Sequence, residues 1–341
     1  MSVDLGLSAD QEAIADLFGG FFTNESPTTV ARAAEPFGFD AELWAKVIEL
    51  GAPGMGSAVE HGGGGASLSD LVVVAEAFGR AIAPIPLLEH LAAALVLTDA
   101  DVVSGEAIAT VAVRPADANG VWRLVPAGAV AAVVVGIDGD ELVAVRSAAP
   151  MVSPRNHASA PLADRSAREG ERTVLGTAAD FAPVLDRWKV LTAAALVGVA
   201  DAAMALGVQY VMEREQFGVP VGSFQAVQHG LADLPVMIDG GRLLTHKAAW
   251  AIDSGDAGIN DWRLNDITDG STLASMAYVF TTDGAALATD RSLHYHGGYG
   301  FSEEYDIQLY YRRARGWSLV LDDPSVECLN LADRLFGARG A

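Results

Sequence analysis

At 341 residues, 51% hydrophobic and 19% charged, the chain is too long for one small core and too apolar for disorder, so two or three packed subdomains are expected. A net charge of −22 with no lysine- or arginine-rich run excludes a nucleic-acid surface, although an anionic cofactor needs only a few local cations. The single cysteine, Cys328, excludes an intrachain disulfide or thiolate metal cluster and reads as a buried, inert thiol; with no leader and with apolar runs broken before bilayer length, a cytoplasmic protein is expected.

Residues 1–100 read as a helical domain. Ser8 is placed to cap a helix carrying Gln11, Ile14, Leu17 and Phe18, and Leu43, Trp44, Val47 and Ile48 fall at helical spacing before Gly51. The glycines at 62–65 lack a following Lys-Ser/Thr and a preceding strand, so they read as a loop leading to a helix near Ser69, not a phosphate cradle. Residues 101–182 change to short β-rich runs, such as "AIATVAVRP" and "AVAAVVVGIDGDELVAVR", separated by the turn signals Asn119-Gly120 and Asp138-Gly139. With no room for helical crossovers, these predict a small antiparallel β-domain. Residues 183–341 are helical again, with long alanine-rich periodic segments over 185–215, 224–252, 272–295 and 306–320 that predict an antiparallel four-helix bundle. The fold class is therefore mainly α with a small β-domain.

Three stretches stand out. "REQFGVPVGSFQAVQHGLADL" (214–234) gathers an Arg, two Phe and a Gln around a helix start, a combination suited to a phosphate-bearing cofactor and also compatible with an ordinary interhelix turn. "LHYHGGYGFSEEYDIQLYYRRAR" (293–315) holds glycines that permit close approach; His294 and His296 lack a third ligand nearby, so no metal site is expected. The third is "LDRWK" (185–189), at the start of the first long helix.

Together these stretches resemble the acyl-CoA dehydrogenase family over nearly the whole chain. The family pattern R-x-x-F-G-x-x-(I/L)-x-x-F-Q-x-x-Q-x-x-(L/M)-A-D is matched from Arg214 through Phe217, Phe224, Gln225 and Gln228 to Asp233, with Val221 as a conservative change. The pattern Q-x-x-G-G-x-G-(F/Y) is matched by "HYHGGYGF", with His294 in place of Gln. The resemblance implies a helical domain, a middle β-domain and a C-terminal bundle, FAD as cofactor, and α,β-dehydrogenation of an acyl-CoA thioester. A carboxylate would remove the α proton while hydride leaves the β carbon for the flavin. It also implies that Arg214, Phe217, Phe224, Gln225, His294, Gly297 and Gly298 contact a flavin bound largely by a neighbouring subunit, with an electron-transfer protein as acceptor.

The same resemblance exposes gaps. Ungapped alignment of "RRAR" puts Leu321 where the family carries its catalytic glutamate, and Asp322 and Asp323 just after it. The alternative base position on the long helix falls on Trp188, and Lys189 replaces the arginine that meets CoA, retaining only the charge. The flavin-binding loop of the β-domain has no counterpart in "VRPADANGVW". The chain thus resembles the shorter, degenerate subunit of actinobacterial steroid-degrading α2β2 acyl-CoA dehydrogenases, completing the FAD site of a full-length partner and acting with it on a bulky acyl-CoA. Two other readings stand beside it: a self-sufficient homo-oligomer with Asp322 as base, and a noncatalytic structural or ligand-binding protein. Asp322 and Asp323 before Pro324 also read as a solvated turn or helix cap.

Overall fold

The computed structural model describes residues 5–255, 260–261 and 266–337. Helices α1 (Ala9–Glu25), α2 (Thr28–Ala33), α3 (Ala41–Glu49), α4 (Leu68–Ala81), α5 (Leu87–Ala94) and α6 (Ala100–Val103) come first. Strands β1 (Ala109–Val111), β2 (Val121–Val125), β3 (Val133–Asp138), β4 (Glu141–Arg146), β5 (Ala163–Ser166) and β6 (Glu171–Thr177) follow. After them come α7 (Ala182–Glu213), a hairpin of β7 (Glu215–Gln216) and β8 (Val219–Pro220), then α8 (Gln225–Ala232), α9 (Leu234–Ser254), α10 (Gly270–Tyr295), α11 (Ile307–Ser318) and α12 (Pro324–Phe336). The chain forms two compact units: Met1–Arg32 with Val72–Ala83 and Thr192–Ala341, and Ala33–Leu71 with Pro84–Leu191.

In the first unit, Ser8 caps α1 as its sequence predicts. Its Oγ accepts from the Gln11 N–H at 3.2 Å while the Gln11 side chain accepts from the Ser8 N–H at 3.1 Å, satisfying two orphan donors reciprocally. The core draws Leu196, Val199 and Ala203 of α7 against Leu234 and Ile238 of α9, Ala285 and Ala288 of α10, and Leu309 and Ala314 of α11. The small residues along α7 let backbones approach: a Cβ on Gly198 would stand 2.6 Å from the Arg80 nitrogen of α4. The periodic stretch from Phe224 is two helices, divided where Pro235 opens α9. Contrary to the expectation from the sequence, one helical stretch, Ala178–Glu213, is apolar and long enough to cross a membrane; 78% of its most apolar window is buried, which makes it a core helix. Cys328 is also corrected, because it is exposed. Helix α12 packs through Pro324, Glu327, Leu331 and Leu335 at helical spacing, which turns the thiol outward.

In the second unit, Asp40 caps α3 and Ser67 with Asp70 caps α4 reciprocally. The glycine run is structural: the N–H groups of Gly63, Gly64 and Gly65 donate to the carbonyls of Ala58, Gly54 and Ser57, so they are turned to backbone and not to a phosphate. The main sheet has the order β1-β3-β4-β6. Asp138-Gly139 closes the β3–β4 hairpin, with Gly139 at φ 62°. The antiparallel expectation holds for β3–β4 and β4–β6 but not for β1–β3, which pairs parallel with Ala109 opposite Val133. The reason is that β2 leaves this sheet to pair with β5, so the chain returns to β1 in the same direction. Trp122, 1% exposed, fills the small core, its indole N–H donating to the Ile137 carbonyl at 2.8 Å. Asp117 is used within its own turn, accepting from the Asn119 and Val121 N–H groups and pairing with Arg123.

Candidate functional site

Helix α7 ends at Glu213, and the hairpin that follows reverses through Phe217 and Gly218, both left-handed at φ 55° and 80°. That backbone is natural for glycine and strained for phenylalanine, so Phe217 is held outward at a cost. Phe217 is 95% exposed, and its ring meets the edge of Phe224, centroids 6.3 Å apart at 82°. Phe224 offers no side-chain cap to α8, leaving the first turn of that helix, which begins at the exposed Gln225, without a side-chain partner from its own N-cap.

Arg214 is exposed, and its guanidinium carbon lies 5.8 Å from the centroid of Tyr299. Beneath it is an aromatic floor. Tyr299 packs on Tyr305 at 5.4 Å, and Tyr210 stacks on His296 at 4.1 Å and 22°. Burial pushes the His296 imidazole below its usual range, with a bond to the Ser292 carbonyl acting the other way; its Nδ1–H donates to that carbonyl at 2.6 Å. Burial also raises the Tyr210 hydroxyl, an effect the nearby Arg214 charge opposes. His294 is exposed, whereas His296 is buried. Gly297, at φ 61°, and Gly298 are both exposed, and a Cβ on either would meet nothing within 4 Å.

This face carries a guanidinium, two bare phenyl rings, an uncapped helix start and an unobstructed glycine pair. Such a set suits a ligand that combines a pyrophosphate with flat rings, and it fits the diphosphate and adenine-side part of FAD. Sequence reasoning missed Tyr210, Tyr299 and Tyr305. Tyr210 could have been found, since it lies four residues before Arg214 on one helix; the other two come from a separate connection.

The turn between α11 and α12 has the opposite character. Leu321 is half-buried there and carries no proton acceptor. Just before it, the Tyr278 hydroxyl, pushed well up by burial, donates to the Ser318 carbonyl at 2.9 Å. Asp322 is exposed and accepts from the Asp323 N–H at 2.8 Å. Asp323 caps α12 by accepting from the Ser325 N–H at 2.9 Å, and its bonds to Ser325 hold its carboxyl below the usual range. Lys189 lies within α7 and is 4% exposed, beside the buried Trp188 and Val190.

Two family models match: "Acyl-CoA dehydrogenase, N-terminal domain" over residues 8–100 and "Acyl-CoA dehydrogenase, C-terminal domain" over 182–336. The chain belongs to the acyl-CoA dehydrogenase family, and at family level this means FAD-dependent oxidoreductase chemistry. Among its relatives, the acyl-CoA dehydrogenase IpdE2 of Mycolicibacterium smegmatis is 29% identical over 340 residues, covering 97% of this chain and 100% of that one. A solved variant of the Tcur3481-Tcur3483 steroid acyl-CoA dehydrogenase superposes with a TM-score of 0.81 at 27% identity, over 97% of this chain and 98% of its own. The ChsE4-ChsE5 complex from Mycobacterium tuberculosis shares the fold, with a TM-score of 0.82 at 20% identity over 99% of this chain and 100% of that one.

Proposed function

We propose that this chain is the half-site subunit of a heteromeric acyl-CoA dehydrogenase, completing an FAD site whose base is carried by a full-length partner. The observation that carries the reading is the pairing of an open hairpin with an empty base position. Phe217 is 95% exposed on a strained turn beside Arg214, while Leu321 stands where the family pattern puts its glutamate. Residues 1–100, 101–182 and 183–341 are read as its three domains.

FAD, when bound, would supply the acceptor for hydride from the acyl β carbon. Arg214 would hold the diphosphate, and the α8 start at Gln225 would add positive potential there. Phe217 and Phe224 cover the cofactor's rings and exclude water, while Gly297 and Gly298 let it approach the backbone, with His294 at the edge. No side chain at 321 can take the α proton, so that proton goes to the partner's carboxylate. Asp322 is a poor substitute because its carboxylate is exposed and already accepts a backbone hydrogen bond. A bulky, steroid-type acyl-CoA is proposed as substrate, supported by the steroid dehydrogenase named among the structural neighbours, and an electron-transferring flavoprotein as acceptor.

The test is co-expression with a full-length acyl-CoA dehydrogenase that retains its glutamate, encoded beside this chain, followed by flavin quantitation and light scattering. The expected result is a heteromer with one FAD per pair and turnover found only in the complex. One FAD per chain and turnover in the isolated protein would overturn it.

A further inference from the structure

The first unit also carries a half-open cavity of about 780 Å³, within the roughly 300–1,000 Å³ typical of drug-sized ligands. It is walled by α1, α4, α7 and α9 with Tyr310 of α11, and none of the residues assigned above to the flavin lines it. Phe22, Val73, Ala77 and Leu206 give it an apolar body.

Its polar wall is distinctive in two ways. Arg242 is matched by Glu76 at 2.9 Å and Asp239 at 2.6 Å, and Arg80 by Asp201. Three carboxylates, of which Glu76 itself lines the cavity and Asp201 and Asp239 stand outside the lining, thus pair with two guanidiniums, so neither guanidinium in the wall lacks a counter-charge. The second feature is Ser26, a lining residue that is 2% exposed and whose Oγ has no hydrogen-bond partner among the described residues. An unpaired buried hydroxyl is costly, and a ligand oxygen would relieve it. His246 adds a second polar group to the same wall; burial is the main influence on its imidazole and holds it below its usual range, which keeps the ring neutral near pH 7.

We propose that this cavity is a second ligand site, separate from the flavin, that takes a neutral, largely apolar molecule bearing at least one hydroxyl or carbonyl group. The matched charges disfavour a carboxylate or a CoA thioester, and the apolar body disfavours a sugar or nucleotide. Ser26 bonds the ligand oxygen.

The test uses the full chain with Nile red, a neutral fluorophore that carries a carbonyl group. Saturable, blue-shifted emission with one site per chain is expected, displaced by progesterone, a neutral ketone, and not by decanoate. Ser26→Ala should weaken binding by about fivefold, the cost of one hydrogen bond. Ala205→Trp, filling the cavity from an exposed position on α7, should weaken it by about tenfold or more with an unchanged circular dichroism spectrum. Should that variant misfold, Leu243→Trp closes the site from α9, where Leu243 is 54% exposed. Absence of saturable binding, binding untouched by either Trp variant, or displacement by decanoate in preference to progesterone would each overturn the proposal. So would loss of oligomer mass in the Trp variants without any probe binding, which would make the cavity a contact between copies.

Discussion

Two connections in the helical unit differ in how they treat their own polar and aromatic groups. After α7, the chain raises Phe217 on a left-handed backbone, leaves α8 without a side-chain cap and leaves Arg214 exposed over an aromatic ring. After α11, the turn is self-contained: Tyr278 takes the Ser318 carbonyl, Asp322 takes a neighbouring N–H, and Asp323 caps the next helix. A connection that satisfies itself needs nothing from outside. One that holds a phenyl ring in water, at a backbone cost, is shaped for something that arrives later.

If that contrast is sound, substitutions in closed regions should register as stability and those in the open one as flavin occupancy. The largest effect is expected deep in a closed region. His90, fully buried on α5, accepts the Ala109 N–H at 3.0 Å, and burial holds its pKa at about 4, a bond to the Val102 backbone opposing. The neutral ring is favoured in the fold, so its contribution is full above pH 6.5 and is lost as pH falls towards 4, by about 3 kcal/mol in all. Urea unfolding from pH 7 to 4 should show this loss, and His90→Asn should flatten it.

Next in size is Arg214→Ala, which should weaken flavin retention in the heteromer about twentyfold, near 2 kcal/mol, with little change in melting temperature. Arg214→Lys should recover only part of it, because an ammonium cannot fork. Tyr299→Leu removes the ring beneath the guanidinium and should cost about threefold in flavin retention, again without a stability change. An equal fall in melting temperature for either variant would break the contrast.

The smallest effects belong to the acidic turn. Asp323→Ala should lower the melting temperature slightly and leave flavin content alone, and its contribution should fade as pH drops below the usual carboxylate range, since the folded carboxyl is the more acidic. Asp322→Asn should leave turnover of the heteromer unchanged; loss of turnover in an active homo-oligomer would revive Asp322 as a base.

Much of this was legible along the chain, for physical reasons. Ser8 with Gln11 and Asp138 with Gly139 act within a few residues, so the local sequence determines the cap and the turn. The pairing of β1 with β3 was not, because it depends on β2 departing to a different partner. Nor was the exposure of Cys328, which depends on which side of α12 is packed, or the burial of Lys189 within the long apolar helix. The floor beneath Arg214 draws Tyr210, Tyr299 and Tyr305 from two stretches far apart in sequence, and no window of residues contains it.

Phe217 has a consequence for how such a protein is supplied in a cell. A bare phenyl ring at the tip of a two-stranded hairpin is adhesive, and the hairpin is itself small enough to open and be cut. If the chain pairs as proposed, a copy made in excess of the partner would be open to proteases and aggregation, whereas a paired one would be shielded. Under that proposal the ring would help to match the amounts of the two subunits by attrition, without any regulator dedicated to the task.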